Sequence, residues 1–457
     1  MSSSPSQCQK GKLSSLFVAF FVLIFFLIAM APAYSQEADC RPETLLVMPK
    51  PGVTQQQVED ALKPYNAKIV RTLSGGSLTT YVIDTCECGG TLDQMKSTLQ
   101  SLSVFQNVQK DYKCAKTQGV GLWHRFFWGG FFNRPPFPPP PLMAPNDPAY
   151  PSQYELRKLR IRGAWLVGAK GQNQTIAVLD TGCNRVSELG GDKLLAGFNA
   201  YQFVIDGQML PGDHDTDPEP LGHGTAVATT LAAHTNNSTG TASPAYESKI
   251  YPVIISDPTG TAYDSTIIVG ILLAQQEGIR LVNLSFQAPP PNTFANQTDH
   301  AILHAYMKQY HDSYNGLVFN CAGNDSYVDP NPRTNYLIMV SASDRLDQIS
   351  FFSNTGTPLW FAAPGVSTQC TDKSGNTVFV NGTSFSSPLT CAVAAQVLSR
   401  FPNLTNDQLT ARMARTARRF IRGYTPSKYG HGVPNARWAT WFPGCGITEE
   451  EAASNDD

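Results

Sequence analysis

Three side chains in this chain have neighbours that suit them to chemistry. Asp180 directly follows the apolar run Ile176-Ala177-Val178-Leu179 and precedes Thr181-Gly182. His223 stands between glycines in Gly222-His223-Gly224-Thr225, ahead of small apolar residues over 226–233. Ser384 lies in Asn381-Gly382-Thr383-Ser384-Phe385-Ser386-Ser387-Pro388, which leads into an apolar stretch over 389–398. Read singly, each has a bland meaning. An aspartate after a strand forms turns, a lone histidine is usually structural, and a serine at a helix start is a cap. Together an acid, an imidazole and a hydroxyl are the residue types that an acyl-transfer centre would need. The hydroxyl attacks a carbonyl carbon, the imidazole carries its proton, and the carboxylate orients the imidazole. A helix N-terminus beside the serine adds N–H groups where an oxyanion would develop.

Such groups need a rigid frame. Short apolar runs alternate with helical periods from about 147 to 443. Strands are expected at Ile176-Ala177-Val178-Leu179, Val253-Ile254-Ile255, Leu281-Val282-Asn283-Leu284, Leu317-Val318-Phe319 and Tyr336-Leu337-Ile338-Met339-Val340. Helices are expected near 225–233, 265–276 and 299–312. Continuous apolar runs mean strands covered on both faces, hence an α/β domain with a mostly parallel sheet. In such a sheet, reactive groups gather beyond the carboxyl ends of the strands, where Asp180 falls. Residues 43–113 read as a separate small α+β unit. Its expected elements are a strand at Leu45-Leu46-Val47-Met48, a helix over 54–62, a strand over 79–83, a helix over 92–102 and a last strand near Val108.

The order Asp…His…Ser, with Gly-His-Gly-Thr and Gly-Thr-Ser-x-x-Ser-Pro, resembles the subtilisin family, peptidase family S8. Further segments carry the resemblance: Pro145-Asn146-Asp147-Pro148 onward, Asn283-Leu284-Ser285-Phe286, Cys321-Ala322-Gly323-Asn324, Ser350-Phe351-Phe352-Ser353-Asn354 with Ala362-Ala363-Pro364-Gly365, and Gly430-His431-Gly432-Val433-Pro434-Asn435-Ala436. The resemblance implies a three-layer subtilisin-like domain over 147–443 and a serine endopeptidase working through an acyl-enzyme on protein or peptide substrates. It makes Asp180, His223 and Ser384 the triad and Asn324 the oxyanion donor. It gives Ser285, Phe286, Gln287, Gly260, Thr261, Ala262 and Gly323 to substrate binding. No metal or other cofactor is required. Asn236-Asn237-Ser238-Thr239-Gly240 resembles a shortened calcium-loop start, which leaves a stabilising calcium open. Gln287 stands where many members have a glycine lining the pocket for the residue before the scissile bond. Phe385 replaces a common methionine after the nucleophile.

More loosely, residues 36–115 resemble the family's inhibitory propeptide (inhibitor I9-like), which implies an autoprocessed zymogen inhibited by its own propeptide. Residues 1–35 have the pattern of a secretory signal: Lys10 and Lys12, an apolar run over 16–30, then Ala33-Tyr34-Ser35. Residues 116–146 form an aromatic and proline-rich linker, and 444–457 an acidic tail. The reading is therefore of a secreted, monomeric protein, off the membrane once the signal is cut. A net charge of −2 provides no basic footprint for nucleic acid. Ten cysteines suit an oxidising compartment. Cys40, Cys86, Cys88 and Cys114 are expected to form two disulfides, and the sequons at Asn173, Asn237 and Asn403 could carry glycans. Two other readings stand beside this one. The first is a secreted binding protein silenced by a retained pro-region. The second, weaker one is a Cys–His protease using Cys321 or Cys391.

Overall fold

The computed structural model describes residues 40–85, 91–116, 144–207, 216–419 and 421–441. The signal segment 1–35, most of the linker, the acidic tail, Cys86 and Cys88 lie outside the described residues, as does the side chain of Cys40.

The N-terminal layer is a sheet of β1 (Cys40–Pro49), β2 (Lys68–Gly75), β3 (Leu78–Asp84) and β4 (Phe105–Lys116), ordered β4-β1-β3-β2 and antiparallel throughout. Two helices, Gln55–Leu62 and Leu92–Gln100, cover one face. Each starts with a capping box, at Thr54 with Gln57 and at Thr91 with Gln94. Alternate side chains serve two cores, as a period of two requires. Leu45, Val47, Tyr81 and Ile83 pack under these helices. Leu46, Met48, Leu73, Val82 and Cys114 face the other way and join the core of the large domain.

That domain is built on seven parallel strands. In chain order they include β5 (Thr175–Asp180), β6 (Phe198–Asn199) and β7 (Lys249–Ile254); outside this sheet comes β8 (Thr261–Tyr263). Then follow β9 (Leu281–Leu284), the short β10 (Phe286–Gln287), also outside it, and β11 (Leu317–Cys321). With strands Leu337–Ser343 and Leu359–Pro364, the spatial order is Leu359–Pro364, Leu337–Ser343, β11, β9, β5, β7, β6. One face packs Ile176, Val178, Leu281, Phe319 and Val340 against helices His223–Ala232 and Thr383–Arg400. The other packs Ala177, Leu179, Val282, Val318 and Met339 against helices Asp264–Gln276 and Ala301–Tyr314. The expected helix–sheet–helix layering is what folds. Each large apolar side chain buried here contributes about 1.5–3 kcal/mol.

β4 ties the N-terminal layer to this frame. The Asp111 carboxylate accepts from Ser265 N at 3.0 Å and from Ser265 Oγ at 2.7 Å. Gln109 Oε1 accepts from Ile302 N at 2.6 Å. Both acceptors are buried, and both meet orphan N–H groups in the first turns of two helices.

One expected strand is longer than its sequence pattern, one strand is additional, and one expectation needs correction. The strand expected near Val108 runs from Phe105 to Lys116, because it pairs with β1 as far as Tyr112 and its last four residues pair with strands of the large domain. β2 went unread because half of its residues are exposed and only Leu73 is buried. The expected pairing of Cys40, Cys86, Cys88 and Cys114 into two disulfides fails at Cys114. That residue is a buried free thiol facing Phe286 and Ala262 in the large domain's core. Burial holds its pKa well above the usual thiol value.

Candidate active site

Asp180 is the last residue of β5 and is fully buried. Its Oδ1 lies 2.7 Å from His223 Nδ1 and accepts from Thr181 N at 2.8 Å. The carboxylate can only accept, so Nδ1 carries the proton and Nε2 presents its lone pair. A second carboxylate holds this geometry from behind. Asp217 accepts from Thr181 Oγ1 through Oδ1, and from Thr225 N and Oγ1 through Oδ2, all at 2.8–2.9 Å. Thr181 Oγ1 in turn accepts from Gly224 N at 2.9 Å. Burial raises the Asp217 pKa, and the bonds from Thr225 and Thr181 offset part of the rise. The glycine beside the histidine is required by approach. A Cβ on Gly224 would stand 2.0 Å from Gly182 O.

Ser384 is the second residue of helix Thr383–Arg400 and is fully buried. Its Oγ donates to Ser285 O at 3.4 Å, and its carbonyl accepts from Ser285 Oγ at 2.9 Å. The neighbouring Phe385 ring lies 6.0 Å from the His223 ring, so helix start and imidazole flank one another. Asn324 closes the group. Thr383 N and Thr383 Oγ1 donate to its Oδ1 at 3.0 and 2.9 Å, which assigns the amide and turns Nδ2 to the other side. Gly323, at φ +104°, makes the turn into it. Asn354 Oδ1 holds the following loop by accepting from Asp325 N and Tyr327 N, each at 2.9 Å.

The segments expected to bind substrate also converge. The end of β4 lies antiparallel between β8 and β10. Cys114 pairs with Ala262, Ala115 with both Thr261 and Gln287, and Lys116 with Phe286. Lys116 N also donates to Gly260 O at 3.2 Å. Gln287 reaches across to the Asn324 segment, accepting from Asn324 N at 2.7 Å and donating to Asp325 Oδ2 at 2.8 Å. One group escaped sequence reasoning. Glu219 ion-pairs with Lys116 while its Oε2 accepts from Leu221 N and His223 N at 2.9 and 3.2 Å. Only its contiguity with Gly222-His223-Gly224 could have drawn attention to it.

Neither cysteine of the Cys–His alternative suits the role. Cys391 is sealed in the core with its pKa raised by burial, and Cys321 Sγ donates to Phe286 O at 3.1 Å. Among the described residues, no group of three or more His, Cys, Asp and Glu is placed to hold a metal ion.

The model of the subtilase family, Peptidase S8, matches residues 171–432, more than half of the chain. The chain belongs to the subtilase family. As a subtilase it is a serine endopeptidase, acting on protein substrates and needing no cofactor for catalysis. It is 32% identical over 290 residues to the thermophilic serine proteinase of Bacillus sp. (strain AK1), covering 63% of this chain and 67% of that protein. It is 32% identical over 267 residues to thermitase of Thermoactinomyces vulgaris, covering 57% of this chain and 88% of that one. Among solved structures, fervidolysin from Fervidobacterium pennivorans, described as a keratinolytic enzyme related to subtilisin, superposes with a TM-score of 0.69 at 21% identity. That superposition covers 89% of this subtilase and 62% of fervidolysin, and it speaks for the fold alone.

Proposed function

We propose that this subtilase is an exported zymogen that cuts itself free of residues 36–117 and then hydrolyses other proteins through Asp180, His223 and Ser384. The observation that carries this reading is the end of β4. Residues 113–116 lie in the cleft as a middle strand between β8 and β10, as a substrate backbone would. One further residue in that register would stand opposite Ser285, whose carbonyl the Ser384 hydroxyl touches. The scissile bond is therefore Thr117–Gln118, and the part of the chain before it acts as an I9-like inhibitor. The proline run after Pro135 stays on the mature enzyme as an N-terminal arm, or is trimmed near Pro145, because prolines lack the N–H that a paired strand needs.

In each turnover Ser384 Oγ attacks the carbonyl carbon as His223 Nε2 takes its proton. Asp180 stabilises the imidazolium, and the Asn324 amide with the Ser384 backbone N–H binds the oxyanion. The proton passes to the leaving amine, and water then releases the acyl group by the same route. A fluorophosphonate probe tests this assignment on the mature protein. Peptide mapping should find the label on Ser384, and a label on another serine or on none would overturn it.

Gln287 shapes the pocket for the residue before the scissile bond, the P1 residue. Its amide bridges to Asn324 and Asp325 where a ring would enter, so aromatic P1 residues should be cleaved roughly tenfold less well than small ones. A P1 peptide library that favours Phe or Tyr would contradict this.

Export rests on the signal pattern of residues 1–35, and no described helix is long and apolar enough to cross a membrane. The sequon residues Asn173, Asn237 and Asn403 are exposed and can carry glycans in a host that adds them. The mature enzyme acts as a monomer. A stabilising calcium does not fit the loop at 236–240. Asp147 already accepts from Asn236 N and Asn237 N, and Glu188 from Asn237 Nδ2 and Thr239 Oγ1. N–H and O–H donors thus meet the very carboxylates that a cation would need.

A further inference from the structure

The Lys116–Glu219 pair sits where the second residue of a substrate, P2, would lie. We propose that Glu219 makes this enzyme select a basic residue, lysine or arginine, at the P2 position of its protein substrates. The inference rests on reading residues 113–116 as a stand-in for bound substrate, and it names a substrate class for that cleft.

The geometry has three parts. The pairing of Lys116 with Phe286, and of its N–H with Gly260 O, sets its backbone one residue before the position opposite Ser285. Its side chain then runs to Glu219, and the two side chains are only 10% and 4% exposed. Glu219 is itself anchored, because Leu221 N and His223 N both donate to Oε2 and leave Oε1 for the ammonium. The carboxylate is thus built onto the backbone of the catalytic histidine. It cannot swing to solvent without breaking two bonds.

The electrostatics make the site demanding. Burial pushes the Glu219 pKa up, but the Lys116 ammonium, by hydrogen bond and by charge, brings it below the usual carboxylate value. Among the described residues Lys373 also reaches this loop, but it donates to the carbonyl oxygens of Glu219 and Asp217, at 2.6 and 3.4 Å. When β4 leaves the cleft, Glu219 loses the Lys116 ammonium, while Leu221 N and His223 N still hold its Oε2 beside the histidine. A substrate with an uncharged P2 residue buries that carboxylate unpaired, and an acidic one sets two like charges together. Lysine and arginine both reach and both pair.

The test uses mature enzyme and internally quenched peptides carrying the sequence of residues 112–120, with Lys, Arg, Ala or Glu at the position of Lys116. Wild-type enzyme should show kcat/KM at least about tenfold higher for Lys and Arg than for Ala, and lower still for Glu. Glu219→Gln, which keeps an acceptor for the two N–H groups, should bring the Lys-to-Ala ratio within about threefold. Glu219→Lys should favour the Glu peptide over the Lys peptide. If these variants do not mature, the wild-type ratios still decide. Cleavage of the Lys and Ala peptides within about twofold of each other overturns the P2 assignment alone. Failure to cleave any of the four overturns the reading of the cleft, and this inference with it.

Discussion

Ser384→Ala is expected to remove peptidase activity, by roughly 10⁶-fold in kcat, the cost that losing the nucleophile carries in subtilisin. The expectation comes from position. Ser384 enters a helix whose first turn is buried against Ser285 and Asn324, while Ser386 of the same turn is committed elsewhere, its Oγ donating to Ala363 O and Pro364 O. The side chain is small and alanine keeps its Cβ, so the substitution removes little packing. The variant should fold. It should also accumulate as full-length precursor, as the proposed self-cleavage requires. Electrophoresis and intact mass give the answer. Normal processing of Ser384→Ala in a protease-free host would show that another protease, or another residue, makes the cut.

Asn324→Ala should lower kcat by roughly 10²–10³-fold with KM changed far less, the loss expected when one oxyanion donor is removed. Thr383 fixes the Asn324 amide through Oδ1, so Nδ2 is pre-aligned and its bond strengthens only as charge builds on the substrate oxygen. The variant also leaves the Thr383 donors without that acceptor, which will cost some stability near the helix start. Asn324→Asp separates the two effects. Asp still accepts from Thr383 but offers no amide donor, so it should retain the fold and lose the rate. Steady-state kinetics on one peptide suffice. A kcat within about twofold of wild type for Asn324→Ala would remove this residue from the oxyanion site.

How far the sequence revealed this site depended on where each residue's partners lie. Asp180, His223 and Ser384 were legible because each sits at the end of a strand or the start of a helix, within a short local pattern. The parallel core was legible too, since Val178, Leu281 and Phe319 belong to unbroken apolar runs. β2 was not, because an edge strand with one buried side chain carries almost no periodic signal. The last third of β4 was missed for a different reason. Lys113-Cys114-Ala115-Lys116 is a strand only because β8 and β10 flank it, and no local preference encodes that. The same holds for Glu219, whose meaning depends on Lys116 from a distant segment. Gln287 could be singled out from its neighbours, but its turn toward Asp325 depends on the loop that Asn354 folds. Cys114 misled in the same way. Counting cysteines suggested a disulfide, while strand alternation points the thiol into the large domain's core.

The end of β4 as occupant of the cleft is the centre of this account, and the N-terminus of the mature protein tests it most directly. N-terminal sequencing and intact mass should be read over the course of activation in purified precursor. The first product is predicted to begin at Gln118, one bond beyond the position that the β4 register sets opposite Ser285. Later trimming toward Pro145 is compatible with that first cut. A first product beginning inside 147–165, or full activity in an uncut precursor, would contradict the account.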